Sequence, residues 1–167
     1  RYSRNIIGIF TDGRFPNQTG DRDTAGLELI QYAQSGHRYL PILLQSRNLE
    51  LKDEAEAMGI PFLHKEDPLL YQRIEDFMLE EMNFGDFIFR TEKGEEIDRA
   101  SNLEEFAKKI DEASIESIEF HATRNEFSHW LRARTEFSLA ATIRPMSLED
   151  FDDSEGVRKY VSESIRE

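Results

Sequence analysis

Apolar residues in the first half of the chain fall into short unbroken runs that alternate with stretches of helical spacing. Asn5 to Asp12 predicts a strand, a nearly unbroken apolar run that ends on an acid. A continuous apolar run of this length suits a strand buried on both faces of a parallel sheet. Asn17 to Thr24 is polar throughout and predicts a loop. Gly26 to Gln34 carries apolar residues at helical spacing, with Gly36 behind it as a stop signal. Leu40 to Ser46 predicts a second strand, Leu49 to Met58 a helix stopped by Gly59, and Ile60 to Lys65 a third strand. Pro68 to Met82 predicts another helix, with Leu69, Leu70, Ile74, Phe77, Met78 and Leu79 near one side. The order β-α-β-α-β-α with short connections calls for a parallel sheet with right-handed crossovers.

The character changes near residue 83, which divides the chain into domains 1–82 and 83–167. Asn83 to Ile97 predicts a β-hairpin, with Asp86 to Arg90 and Glu95 to Ile97 joined by a Glu-Lys-Gly turn. Ser101 and Glu104 form a capping box at the head of a helix reaching Ile110. Ile115 to Ile143 predicts one long helix or two broken ones, buried through Phe120, Phe127, Trp130, Leu131 and Phe137. Ser147 with Asp150, and Ser154 onward, predict a last helical segment carrying Val157, Tyr160, Val161 and Ile165.

Bulk composition narrows the class. The chain has 167 residues, 38% hydrophobic and 33% charged, a soluble globular balance with a modest core. A net charge of −13 argues against nucleic acid or an anionic membrane as partner. The absence of cysteine excludes disulfides, thiolate zinc sites and cysteine nucleophiles. No apolar run approaches the roughly 20 residues of a membrane span, and no signal-peptide pattern opens the chain, so a cytoplasmic location is expected. The first apolar run starts almost at Arg1, which is not an initiator, so a longer parent chain is expected.

Three polar residues end the three predicted strands: Asp12, Ser46 and Lys65. In a parallel sheet they share the carboxyl edge, where ligands gather in open α/β folds. A carboxylate can take a phosphoryl group as an acyl phosphate, with magnesium offsetting the charge and a hydroxyl and an ammonium binding the phosphoryl oxygens.

Asp12 with Pro16 four residues on, Gly26-Leu27-Glu28-Leu29, Pro41 to Ser46, and Phe62-Leu63-His64-Lys65 follow one another in the order of a known family. In these positions the chain resembles the receiver domain of two-component response regulators. The resemblance implies a flavodoxin-like fold with the family's strands 3, 4 and 5 in this chain, followed by a small, mostly helical α+β domain. It implies Asp12 as phosphoacceptor, Ser46 and Lys65 as its helpers, and Phe62 as the aromatic switch residue. It also implies Mg²⁺ held by Asp12 and the Arg14 backbone carbonyl, a histidine kinase or phosphotransfer protein as donor, and a possible homodimer.

The chain departs from the family in three places. The family's first strand with its acidic pair, its first two helices and its second strand are not here. The loop after Asp12 is longer and carries Asp21 and Asp23, which could substitute in metal binding. Glu66 stands where most receivers have proline. A haloacid-dehalogenase-like phosphatase would need an acid two residues after its nucleophile, and position 14 is Arg14.

In the second half, His121, Asn125, Ser128, His129 and Arg132 lie along one flank of the predicted helix. They read as a packed polar seam, or else as a contact surface with His121 as a phosphoryl carrier. Phe84-Gly85-Asp86-Phe87, His121 with Arg124-Asn125, Phe127-Ser128, Trp130-Leu131, Arg134 to Ala140 and Arg144-Pro145 resemble an appendage seen in large bacterial proteins. There it precedes a phosphoenolpyruvate synthase or pyruvate phosphate dikinase type module. The combined expectation is a regulatory phosphoacceptor, not a turnover enzyme, acting on a downstream catalytic module. The alternative is a degenerate receiver that only docks.

Overall fold

The computed structural model describes residues 6–17, 20–22, 24–143 and 148–166, with the side chains of residues 16, 17, 20–22 and 148 excepted. The chain divides into two compact units, Arg1–Phe77 and Met78–Glu167, whereas the sequence places the change of character at residue 83. Both α and β elements occur, with one parallel sheet and two antiparallel pairs among the described residues.

The first unit runs β1 (Ile9–Asp12), β2 (Phe15–Asn17), β3 (Gly20–Arg22), α1 (Ala25–Gly36), β4 (Ile42–Ser46), α2 (Glu50–Ala57), β5 (Phe62–His64) and α3 (Leu70–Glu80), the last crossing into the second unit. Strands β1, β4 and β5 form a parallel sheet in that order, Asp12 opposite Gln45 and Ser46 opposite His64. The strand from Asn5 is shorter than expected, beginning at Ile9.

The predicted polar loop over 17–24 is instead partly an antiparallel hairpin, Phe15 opposite Arg22 and Asn17 opposite Gly20. A polar pair of strands has no apolar alternation to announce it, so periodicity misses it. Gly36 stays inside α1, which His37 ends at φ −145°. Gly59, at φ +72°, does stop α2, as left-handed backbone favours glycine.

Side chains alternate across the sheet. Ile42 and Leu44 point to one face, where Leu27 and Ile30 of α1 and Leu51 and Ala55 of α2 bury them. Leu43 and Leu63 are buried on the other face. Each fully buried Leu or Ile contributes about 1.5–3 kcal/mol of transfer free energy. On α3 only Phe77 is buried, edge-on to Phe10 at 5.5 Å, while Leu69 and Leu79 of the predicted apolar side are exposed.

The second unit contains β6 (Phe87–Arg90), β7 (Glu96–Ala100), α4 (Leu103–Glu112), α5 (Ile115–Thr123), α6 (Glu126–Ala133), α7 (Phe137–Ile143), a short 3₁₀ turn at Leu148–Asp150, and α8 (Ser154–Arg166). The hairpin forms as expected, β6 antiparallel to β7, with Gly94 turning the chain at φ +84°. The capping box sits one residue later than expected. Asn102 accepts the Glu105 N–H at 2.9 Å, and the Glu105 carboxylate accepts the Ser101 N–H at 2.9 Å.

The stretch predicted as one or two helices is three. Asn125 (φ +58°) and Thr135 (φ +64°) adopt left-handed backbone and break it. Phe87, Phe89, Phe106, Phe127 and Trp130 are fully buried, with Phe106 and Trp130 centroids 4.6 Å apart. Phe137 is 58% exposed, against expectation, because it starts a new helix after the Thr135 break. Val157 and Val161 bury α8 against this core, whereas Ser147 lies outside the described residues.

Candidate functional site

The parallel register of β1, β4 and β5 delivers Asp12, Ser46 and Lys65 to one edge. Two glycines let the edge close. A Cβ on Gly26 would stand 2.3 Å from the Asp12 carbonyl oxygen, and the Gly26 N–H donates to the Gly13 carbonyl at 3.0 Å. A Cβ on Gly13 would meet Leu51 Cδ1 at 2.4 Å and Ser46 Oγ at 2.9 Å. Helix α1 therefore starts directly against the β1 terminus, and Ser46 sits over Gly13.

The Lys65 ammonium pairs with Asp12 Oδ2, and the Arg14 N–H lies 3.4 Å from Asp12 Oδ1. Burial by itself would raise the Asp12 carboxyl. The hydrogen bond and charge of Lys65, with the N–H groups of Arg14 and Gly13, outweigh it and hold the group below the ordinary carboxylate range.

Ser46 is buried, and its Oγ accepts the Asn48 N–H at 3.1 Å. His64 Nδ1 accepts the Glu66 N–H at 3.3 Å. That leaves Nε2 to carry the ring proton and donate to the Arg47 carbonyl at 3.1 Å. This imidazole ties the turn after β5 to the turn after β4. The Arg47 guanidinium meets Glu66 at 3.3 Å. Asp12, Arg14, Ser46, Arg47 and Lys65 line one open depression of about 360 Å³.

The structure thus gathers Asp12, Ser46, Lys65 and Arg14. Phe62 is half-buried in β5 and packs against the Leu27–Leu44 cluster. Arg47 and Asn48 line the same depression without having been singled out. Their only signal is position, in the turn directly after a strand-ending residue. Gly13 was visible only as a glycine after the acid.

Magnesium requires near-octahedral oxygen donors. Among the described residues no group of three or more His, Cys, Asp or Glu side chains could hold a metal ion. Among the described residues Asp12 is the one carboxylate lining the depression, and one of its oxygens already holds Lys65. These residues do not by themselves fit magnesium. Asp23 and the Asp21 side chain lie outside the described residues.

In the second unit, the residues predicted to share one helical flank fall on α5, α6 and the break between them. His121, Ser128 and His129 are buried. His121 Nε2 accepts the Arg90 N–H at 2.9 Å, and its Nδ1 pairs with the Glu126 carboxylate. Both ring nitrogens are engaged inside an aromatic shell that includes Phe87 at 4.8 Å, which makes it a structural polar seam and not an accessible phosphoryl carrier.

No protein-family model, no curated protein and no solved structure matches this chain. Among the described residues no helix is long and apolar enough to cross a membrane.

Proposed function

We propose that the first unit is a receiver-like regulatory module of flavodoxin type, with Asp12 as phosphoacceptor. The juxtaposition of a carboxylate, an ammonium and a hydroxyl at the ends of three parallel strands carries the reading. A phosphohistidine of a kinase or phosphotransfer protein is the donor. An Asp12 oxygen attacks phosphorus, the P–N bond breaks, and the imidazole leaves with the electron pair and takes a proton. Lys65 moves from the carboxylate to a phosphoryl oxygen, and the Ser46 hydroxyl donates to another. Phosphorylation adds about −1.5 to −2 charges at this edge, enough to redistribute its ion pairs. The output is a changed contact with a downstream module of the phosphoenolpyruvate synthase or pyruvate phosphate dikinase type.

A second reading, a docking module that is never phosphorylated, is favoured by the single carboxylate at the rim among the described residues. Acetyl phosphate with magnesium separates the two. A mass gain of one phosphoryl group, labile to hydroxylamine and lost in Asp12→Asn, supports the phosphoacceptor. No gain in the native chain supports docking.

A further inference from the structure

The turn that carries Lys65 is closed by the residue before it. The His64 carbonyl accepts the Asp67 N–H at 3.0 Å, and the His64 ring reaches over Lys65 to accept the Glu66 N–H on Nδ1 at 3.3 Å. Lys65 is therefore bracketed by two hydrogen bonds that both end on His64. Its own N–H donates to the Ser46 carbonyl at 3.1 Å, which fastens the same point of the chain to the end of β4.

The other ring nitrogen faces the second turn. Nε2 donates to the Arg47 carbonyl at 3.1 Å, and the Arg47 guanidinium returns to Glu66 at 3.3 Å. Arg47 lies between Ser46 and Asn48, whose N–H donates to Ser46 Oγ at 3.1 Å. One half-buried imidazole thus touches both the turn that presents the hydroxyl and the turn that presents the ammonium. Only the tautomer with its proton on Nε2 makes both bonds, because Nδ1 must offer a lone pair and Nε2 a hydrogen. The Arg47–Glu66 pair is exposed and holds too weakly to join the turns by itself.

This tether bears on the reach of the lysine. Lys65 passes the end of β4 to meet Asp12 on β1. A lysine stem is long and flexible, and it gives up much rotamer freedom in holding one partner. A fixed origin leaves the ammonium fewer wrong directions, whereas a loose one lets it swing into solvent. We propose that His64 is the positioning residue of this rim, setting the origin of the Lys65 side chain against the Ser46 turn and thereby the grip of Lys65 on Asp12. Through that grip it governs how fast Asp12 takes a phosphoryl group, a consequence that rests on the phosphoacceptor reading.

A carboxyl-carbon NMR titration of Asp12 in the full chain tests the proposal. His64→Ala should raise the Asp12 midpoint, by less than Lys65→Met does, since the lysine stays charged and nearby. On the Lys65→Met background His64→Ala should add nothing, because two residues that act through one contact are not additive. His64→Asn, whose side-chain oxygen can still accept the Glu66 N–H two residues on, should recover part of the shift. Acetyl phosphate with magnesium should label His64→Ala about tenfold more slowly than the native chain, the cost of a displaced helper group.

A residue that only stabilised the fold would lower the melting temperature and leave the midpoint alone. An unmoved midpoint in His64→Ala, or a rise of the same size with Lys65→Met in place, therefore overturns the proposal. Ring-nitrogen NMR of the native chain needs no variant. A proton on Nε2 with a bare Nδ1 is expected, and a proton on Nδ1 overturns the proposal even where His64→Ala fails to fold. A native chain that acetyl phosphate does not label removes the phosphoacceptor reading alone, and the Asp12 midpoint still decides the role of His64.

Discussion

Lys65 and Asp12 form an ion pair although their strands are not neighbours; β4 lies between β1 and β5, and the lysine side chain reaches past its end. The pair has a pH signature. With the Asp12 carboxyl depressed, its stabilising contribution is complete above the unfolded value of about 3.9 and is lost as pH falls through the lower folded value. The side chains are 32% and 42% exposed, so solvent screens the pair and the effect on stability is small. A carboxyl-carbon NMR titration reads it directly. Lys65→Met should move the Asp12 midpoint upward, and an unchanged midpoint would show that the lysine does not hold the carboxylate.

Gly26→Ala should destabilise the first unit more than Gly13→Ala. The new methyl at Gly26 meets backbone, Asp12 O at 2.3 Å and Gly13 Cα at 2.9 Å, which cannot move without shifting β1 against α1. The methyl at Gly13 first meets the tip of Leu51, which can rotate. Overpacking of the first kind costs about 1–3 kcal/mol. A urea transition with a lowered midpoint and an unchanged slope would register it.

Trp130 and Arg134 converge on one carbonyl. The indole N–H donates to Gly85 O at 3.1 Å and the guanidinium donates to it at 2.7 Å, while the guanidinium lies 3.8 Å from the ring centroid. Trp130→Ala, at a fully buried position, should cost about 3–5 kcal/mol. Trp130→Phe keeps an aromatic ring but loses the donor and part of the indole's volume. It should cost less, with about 1 kcal/mol of the loss due to the hydrogen bond. Equal losses for the two variants would mean that ring volume counts for nothing here.

Thr135 holds a β-branched side chain at φ +64°, where Cβ crowds the backbone. Thr135→Gly should raise stability by about 1 kcal/mol, read as a higher melting temperature of the second unit. A lower one would show that the threonine makes contacts worth more than its strain.

Elements with an apolar period were legible in the sequence: β1, β4 and β5, helices α1 and α2, and the β6–β7 hairpin. So was the meeting of Asp12, Ser46 and Lys65, because a strand-ending position in a parallel sheet fixes where a side chain emerges. What stayed hidden depends on tertiary context. The β2–β3 hairpin is polar, and the breaks at Asn125 and Thr135 use residues that also populate helices. His121 carried a signal for chemistry, yet its nitrogens serve Arg90 and Glu126 inside the core. Arg47 entered the rim only through the turn geometry that follows β4.

The three rim residues emerge from the ribosome in chain order, Asp12 first and Lys65 last. Because the lysine follows the third strand of the sheet, the ion pair cannot exist until that strand has docked. The titration of a single carboxyl therefore doubles as a completion signal for the first unit, and a nascent or truncated chain that stops short of Lys65 would leave Asp12 without the lysine's share of its lowered pKa.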